Sequence, residues 1–205
     1  MNNYKEHDKA IEKEFRELKK KYENNYSELS EQVKDIVEYK FSKGGNIFFR
    51  GLYTPFLSFR YDVFSNHKGT FMQEGKNFTF KYGFNSDNQL IYVLRDLDGM
   101  YMEEYILYLP DCEVGLCFDK RKQLLTDISI CKYNDDRLIS VHYAHIMDWK
   151  DYFSFDLSEE VYQYDNKSLI TIEMIEGDTK YPTRYHSSYE MINGELNLSN
   201  QWITK

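Results

Sequence analysis

Alanine is nearly missing from this chain of 205 residues: only Ala10 and Ala144 supply it, while Asn, Lys, Ile and Tyr abound. An AT-rich coding sequence produces that bias, which points to a bacterial source. Cysteine is scarce and odd in number. Cys112, Cys117 and Cys131 lie in apolar alternating segments, which argues against a disulfide framework in a chain able to build its own core and leads us to expect buried thiols. Their C-x4-C spacing has no second pair and no helix-borne histidines, so a zinc site is not expected either. No run approaches the ~20 apolar residues of a membrane span. The start, Met1-Asn2-Asn3-Tyr4-Lys5-Glu6, has no apolar signal region, and the expectation is a cytosolic protein without a membrane partner. Phosphate-cradling loops are missing too, with no G-x-x-x-x-G-K-[ST] and no G-x-G-x-x-G, which argues against nucleotide chemistry. No Pro/Gly/Ser-rich linker divides the chain, so it reads as a single domain, 1–205, with a helical N-terminal segment (1–43) and a sheet region (46–205).

What the chain has in quantity is aromatic residues, 19 Tyr and 14 Phe, which favour strands and a well-filled sheet. It also repeats one local pattern: an aromatic or apolar strand end, a short polar turn, then a leucine opening a new strand. The instances run Phe84 to Leu90, Phe118 to Leu124, Tyr133 to Leu138, Tyr164 to Leu169 and Met191 to Leu196. Asn, Asp and Gly tolerate the left-handed backbone of a tight hairpin, and the flanking apolar residues pack across the strands. The irregular spacing of the five leucines disfavours a solenoid or propeller. Tyr164-Asp165-Asn166-Lys167-Ser168-Leu169, and more loosely Tyr133 to Leu138, resembles the tyrosine-aspartate repeats of bacterial Rhs-type shell proteins, but lacks their Gly-Arg step and regular spacing. Hairpin chemistry accounts for the likeness.

Periodicity supplies the rest of the architecture. Tyr4, Ile11, Phe15, Leu18 and Tyr22 form the stripe of an amphipathic helix, supported by Glu12 to Arg16 and Glu17 to Lys21 at i,i+4. Ser30 is read as the cap of a second helix carrying Val33, Ile36, Val37 and Phe41, ended by Gly44-Gly45. Beyond Gly45 the period becomes two, as in Phe78-Phe80-Tyr82-Phe84 and Cys112-Val114-Leu116-Phe118, with similar alternation in Leu57 to Val63, Leu124 to Ile130, Ile139 to Tyr143 and Ile170 to Met174. The expected fold is α+β and mainly antiparallel β: a curved meander of about 11–12 strands, half-barrel or two-layer, with the N-terminal helices packed on it. A closed up-and-down barrel is the chief competitor.

Few residues suggest chemistry. His142, His145 and Asp148 are metal-ligand types that a helix would align on one face. Strand alternation through Tyr143 instead sends His142 and His145 to opposite faces. Cys117 or Cys131 with His67 or His186 lacks a nucleophile signature. The adjacent pairs Glu103-Glu104 and Glu159-Glu160 place one carboxylate on each face of a strand. Phe56-Leu57-Ser58-Phe59-Arg60-Tyr61 imitates a base-stacking platform, but the acidic total opposes nucleic acid. No cofactor is implied.

Charge is more informative. Residues 1–43 hold ten acids and ten bases, so the net charge of −8 belongs to the sheet region. Asp96, Asp98, Glu103, Glu104, Asp111, Glu113 and Asp119 occur with no Lys or Arg between Arg95 and Lys120, and Asp151, Asp156, Glu159, Glu160 and Asp165 with none between Lys150 and Lys167. Tyr101, Tyr105, Tyr108, Phe153 and Tyr162 lie beside them. Carboxylates around aromatic anchors suit a steered protein interface, and we assign partner binding to Asp96, Asp98, Tyr101, Glu103, Glu104, Tyr105, Asp111, Glu113 and Asp119. Charge reversal at Glu103, Glu104 and Asp111 is expected to slow association and leave the fold intact. The resulting picture is a non-enzymatic protein that binds a basic protein, similar in character to bacterial immunity proteins that block a basic toxin domain. The alternatives are a small apolar ligand held near Phe78, Phe80, Tyr82 and Tyr92, and a metal-dependent hydrolase built on His142, His145 and Asp148.

Overall fold

The structure is a computed structural model that describes residues 2–48, 69–73, 77–97, 99–135, 137–149, 152–166, 168–181, 183–193 and 195–204. The strand expected at Leu57 to Val63 lies outside the described residues, as do His67, Asp98 and Asp151.

Helix α1 (Asn2–Tyr22) is followed by the short helix α2 (Tyr26–Ser30) and a 3₁₀ turn (Glu31–Asp35). Twelve described strands follow: β1 (Glu38–Lys43), β2 (Thr70–Met72), β3 (Phe80–Phe84), β4 (Leu90–Leu97), β5 (Met100–Tyr108), β6 (Cys112–Asp119), β7 (Leu124–Asn134), β8 (Arg137–Trp149), β9 (Tyr152–Asp165), β10 (Ser168–Asp178), β11 (Arg184–Ile192) and β12 (Glu195–Thr204). They form one antiparallel sheet in the order β12-β11-β10-β9-β8-β7-β6-β5-β4-β3-β1-β2. From β3 onward every strand pairs with its successor in sequence, which is a meander. The sheet is open rather than a closed barrel, and among the described residues β12 and β2 are its edges.

All five turn-leucine segments are hairpin connections. Among the described residues each holds one non-glycine residue at positive φ: Asn88, Gln123, Asp135, Asn166 and Asn193, between +48° and +58°. The first turn shows the local chemistry, since Asn85 Oδ1 accepts the backbone N–H groups of Asp87 and Gln89. The leucines then open strands: Leu90 and Leu124 are first residues, and Leu138, Leu169 and Leu196 are second.

Helix α1 lies on one face of the sheet through the stripe its spacing announced. Ile11, Phe15 and Tyr22 are buried, with Leu18 partly so, against Tyr92, Leu94, Tyr105, Leu116, Phe118, Ile128, Ile130, Ala144, Ile146, Phe155 and Leu157. The Phe15 and Phe155 rings sit 6.1 Å apart. Arg16 pairs with Glu12 at 2.5 Å and covers the Phe153 ring at 4.8 Å, whereas Glu17 meets Lys13 rather than Lys21. Two clusters fill the opposite face, one around Phe80, Tyr82, Phe84, Val93, Ile106 and Cys117, the other around Cys131, Val141, Tyr162, Ile172 and Tyr189.

The second helix is shorter than its spacing implied. Ser30 ends α2 instead of capping a helix, its hydroxyl donating to the Ser27 carbonyl. Ile36 is already extended (φ −75°, ψ 121°), and Glu38 to Ser42 pair with Phe84 to Phe80. The strand wins because an open edge of β3 offers a backbone ladder, and because Phe41 gains a ring partner in Phe78 at 5.6 Å. Gly44, at φ +84°, therefore leaves a strand and not a helix. None of the three cysteines is in a disulfide; Cys117 and Cys131 are buried as expected, but Cys112 is only half-buried.

Candidate functional site

The acidic segment between Arg95 and Lys120 does not form one surface. Asp96 and Asp119 build turns: Asp96 Oδ1 accepts the Gly99 N–H at 2.9 Å, and Asp119 Oδ1 accepts those of Arg121 and Lys122. Tyr101 packs partly buried against the helix-side core. Glu103 and Tyr105 point to that same side, Glu104 to the other, and all three are buried. Asp111 is exposed at the opposite end of the strands, in the β5–β6 turn, with Glu113 half-buried beside it. Charge reversal at Glu103 or Glu104 would place an unpaired cation in the interior and unfold the protein, so those positions cannot test binding.

Glu103 is the centre of a structural network. Its carboxylate accepts the hydroxyls of Tyr26 (2.5 Å), Tyr92 (2.6 Å) and Tyr105 (3.3 Å) and pairs with Lys120 at 2.8 Å. Burial pushes the carboxyl upward, but the bonds from Lys120, Tyr26 and Tyr92 outweigh it and hold the group below its ordinary value. The same burial and hydrogen bond raise Tyr26 to about 12. Three phenols and one carboxylate here stitch α2 to β4 and β5.

The second acidic segment is divided in the same way. Glu159 faces α1, accepting His7 Nε2 at 2.9 Å and lying 3.2 Å from His142 Nε2. Burial raises its carboxyl, and the two imidazoles more than reverse that. Glu160 is buried on the opposite face, where the Tyr162 hydroxyl donates to it. Phe153 is covered by Arg16 and Lys19.

The histidine and aspartate set separates, as alternation required. His142 and Asp148 face the helix, and Asp148 stands 3.9 Å from Lys19. His145 faces the other way, its Nδ1 donating to Asp127 Oδ1 at 2.8 Å; that carboxylate also accepts the Tyr143 hydroxyl, and its Oδ2 the Thr126 hydroxyl. The Asp127 bond raises the His145 pKa against the opposing effect of burial. A half-exposed imidazole held by a carboxylate can exchange protons. Cys117, the cross-strand partner of Asp127 on the side away from His145, is wholly buried with its thiol pushed well up, chiefly by burial, so no activated nucleophile comes from it. Among the described residues no group of three or more His, Cys, Asp or Glu side chains is placed to hold a metal ion. His186 faces the helix side, bonded to Thr204 and stacked on Trp202, whereas Cys117 and Cys131 pack on the opposite face.

One cleft of about 560 Å³ opens on the surface where the end of α1, α2 and the 3₁₀ turn meet β4, β5 and the β3–β4 turn. Tyr22, Leu29, Ile91 and Leu107 give it an apolar lining, Glu28 and Asp35 give it carboxylates, and Lys21 is its one basic lining residue. Tyr108 and Leu109, both exposed, also line it, two residues before Asp111. Its volume lies within the range of binding pockets. Sequence reading missed this place because the ten acids and ten bases of residues 1–43 balance. The signal was there at finer grain: from Tyr22 to Tyr39 the acids are Glu23, Glu28, Glu31, Asp35 and Glu38, and Lys34 is the single base.

Phe78, Phe80, Tyr82 and Tyr92 do not share one face of the sheet. Phe80 and Tyr82 are packed on one face, Tyr92 on the other. Tyr82 donates to Asn46 Oδ1 at 2.5 Å and accepts the Ile47 N–H at 3.0 Å. Among the described residues no helix is long and apolar enough to cross a membrane. No family model, curated protein or solved structure matches this chain.

Proposed function

We propose that this is a non-enzymatic binding protein that engages a basic protein through an acidic, aromatic surface, in the manner of a bacterial immunity or antitoxin-like protein that neutralises a toxin domain. The observation that carries the reading is the cleft beside α2. It joins two carboxylates, Glu28 and Asp35, to an apolar lining and to the exposed side chains of Tyr108 and Leu109. A lysine or arginine of the partner enters with its charged head between the carboxylates and its stem along Leu29 and Leu107, while Tyr108 anchors the rim. Asp111 and the acids on either side of α2 supply the steering field. Lys21 sets a limit on the negative potential and orients the cation toward Asp35 and Glu28.

Affinity capture from the source cell, followed by binding kinetics with Glu28→Lys/Asp35→Lys, tests this. The variant should associate at least about tenfold more slowly with the captured basic protein and show a weaker salt dependence, with the fold unchanged. Unaltered kinetics, or a captured partner that is acidic, would overturn the assignment.

A further inference from the structure

Strand β12 ends the sheet, and among the described residues no strand pairs with its outer side. Antiparallel strands at an edge present a row of unpaired N–H and C=O groups, and proteins blunt such edges by shortness, by lysine or proline, or by covering them. The other edge among the described residues, β2, is only three residues long. β12 is ten residues long, and Asn197 to Thr204 contains neither a charge nor a proline and is exposed throughout. Its side chains add apolar area on both faces. Leu198 and Ile203 are 51% and 59% exposed, and Trp202 keeps 40% exposure after stacking on His186 at 4.9 Å. On β11, the exposed Tyr185 stands directly opposite Ile203 and extends its apolar area.

Charge selects the occupant. A molecule of net charge −8 repels its own copies over most of its surface, and a neutral, self-complementary strand is where that repulsion is least. A strand from a strongly basic partner would find no carboxylate on Asn197 to Thr204 to select it. A twofold axis pairs a strand antiparallel with itself and uses one patch on both copies. We propose that two copies of this chain associate through β12, antiparallel about a twofold axis, so that their sheets become continuous and Leu198, Trp202 and Ile203 are covered from both sides.

Sedimentation equilibrium of the purified chain should give twice the 24.8 kDa chain mass at micromolar concentration. The double variant Leu198→Lys/Ile203→Lys should weaken self-association by at least about tenfold, since lysine is a natural edge guard. Its circular dichroism and melting temperature should stay close to those of the parent. Hydrogen exchange of the unmodified protein supplies a readout that does not depend on the variant folding. Amides of 197–204 should gain protection as concentration rises, and those of α1 should not. A monomer at every concentration, a dimer that persists in the folded lysine variant, or protection at 197–204 that ignores concentration would each overturn the proposal. So would association seen only when a basic protein is added. This self-association is independent of the cleft beside α2, and Glu28→Lys/Asp35→Lys should leave it intact.

Discussion

The Tyr92 hydroxyl donates to Glu103 Oε1 at 2.6 Å, beneath the helical cover of the sheet. Glu103 is thereby a partner to residues of α2's first position, β4 and β5, and its side chain is 5% exposed. Glu103→Ala leaves buried phenols and Lys120 without their acceptor and should cost about 3 kcal/mol in urea denaturation, with Tyr92→Phe costing about half that. Because the carboxyl is held below its ordinary value, its stabilisation is present above the ordinary 4.5 and is lost as pH falls through the lower folded value. The acid limb of the stability profile should therefore flatten in Glu103→Gln.

The left-handed residues of the hairpins make a graded test. Gln123 adopts φ +53° without the short polar side chain that eases this conformation. Gln123→Gly should stabilise the protein by about 0.5–1 kcal/mol, and Asn166→Ala should destabilise it by about 1 kcal/mol. Equal effects of the two changes in thermal melts would show that the turns are not set by backbone conformation.

These hairpins are also where the sequence was most legible. A tight turn is local chemistry, so each of the five segments carried its own answer, and so did the opposite facing of His142 and His145, which follows from strand alternation. Residues 36–43 were not legible in the same way. Val33, Ile36, Val37 and Phe41 satisfy a helical spacing, and what makes β1 a strand is the edge of β3, more than thirty residues distant in sequence, which no local pattern reports. The buried state of Glu103, Glu104 and Tyr105 was hidden for a related reason. A count of charges does not distinguish a carboxylate facing water from one facing three phenols. The cleft beside α2 draws its lining from three separate stretches of the chain, so only the folded arrangement brings Glu28 and Asp35 toward Tyr108.

His145 offers a pH readout. Its raised pKa means that the bond to Asp127 contributes fully below the ordinary 6.5 and is lost as pH rises through the folded value. An NMR titration of the His145 ring should place its midpoint above 6.5, and in Asp127→Asn the midpoint should drop to or below it. A midpoint unchanged by that substitution would remove Asp127 as the cause.

Glu159 ties α1 to the sheet through His7 and His142, with Asp8 to Arg184 at 2.9 Å and Glu14 to Lys132 at 3.4 Å as neighbouring clasps. Glu159→Gln should destabilise the protein by about 2 kcal/mol and accelerate amide exchange in α1 more than in β7 or β8. Phe15→Ala, which removes the helix's wholly buried ring, should cost about 3–5 kcal/mol and produce the same ordering of exchange.

The order of strands carries a consequence for how the chain reaches this structure. From β3 to β12 each strand needs only its sequence neighbour, so the search is a succession of small loop closures of the kind that proceed quickly. β1 is different: it inserts between β2 and β3 and meets β3 only after a long closure. Substitutions in the β7–β8 and β8–β9 hairpins should therefore slow refolding, whereas substitutions in β1 should chiefly speed unfolding. The N-terminal strand and helix would then be the last parts to dock and the first to leave, and the long hairpins the kinetic foundation on which they settle.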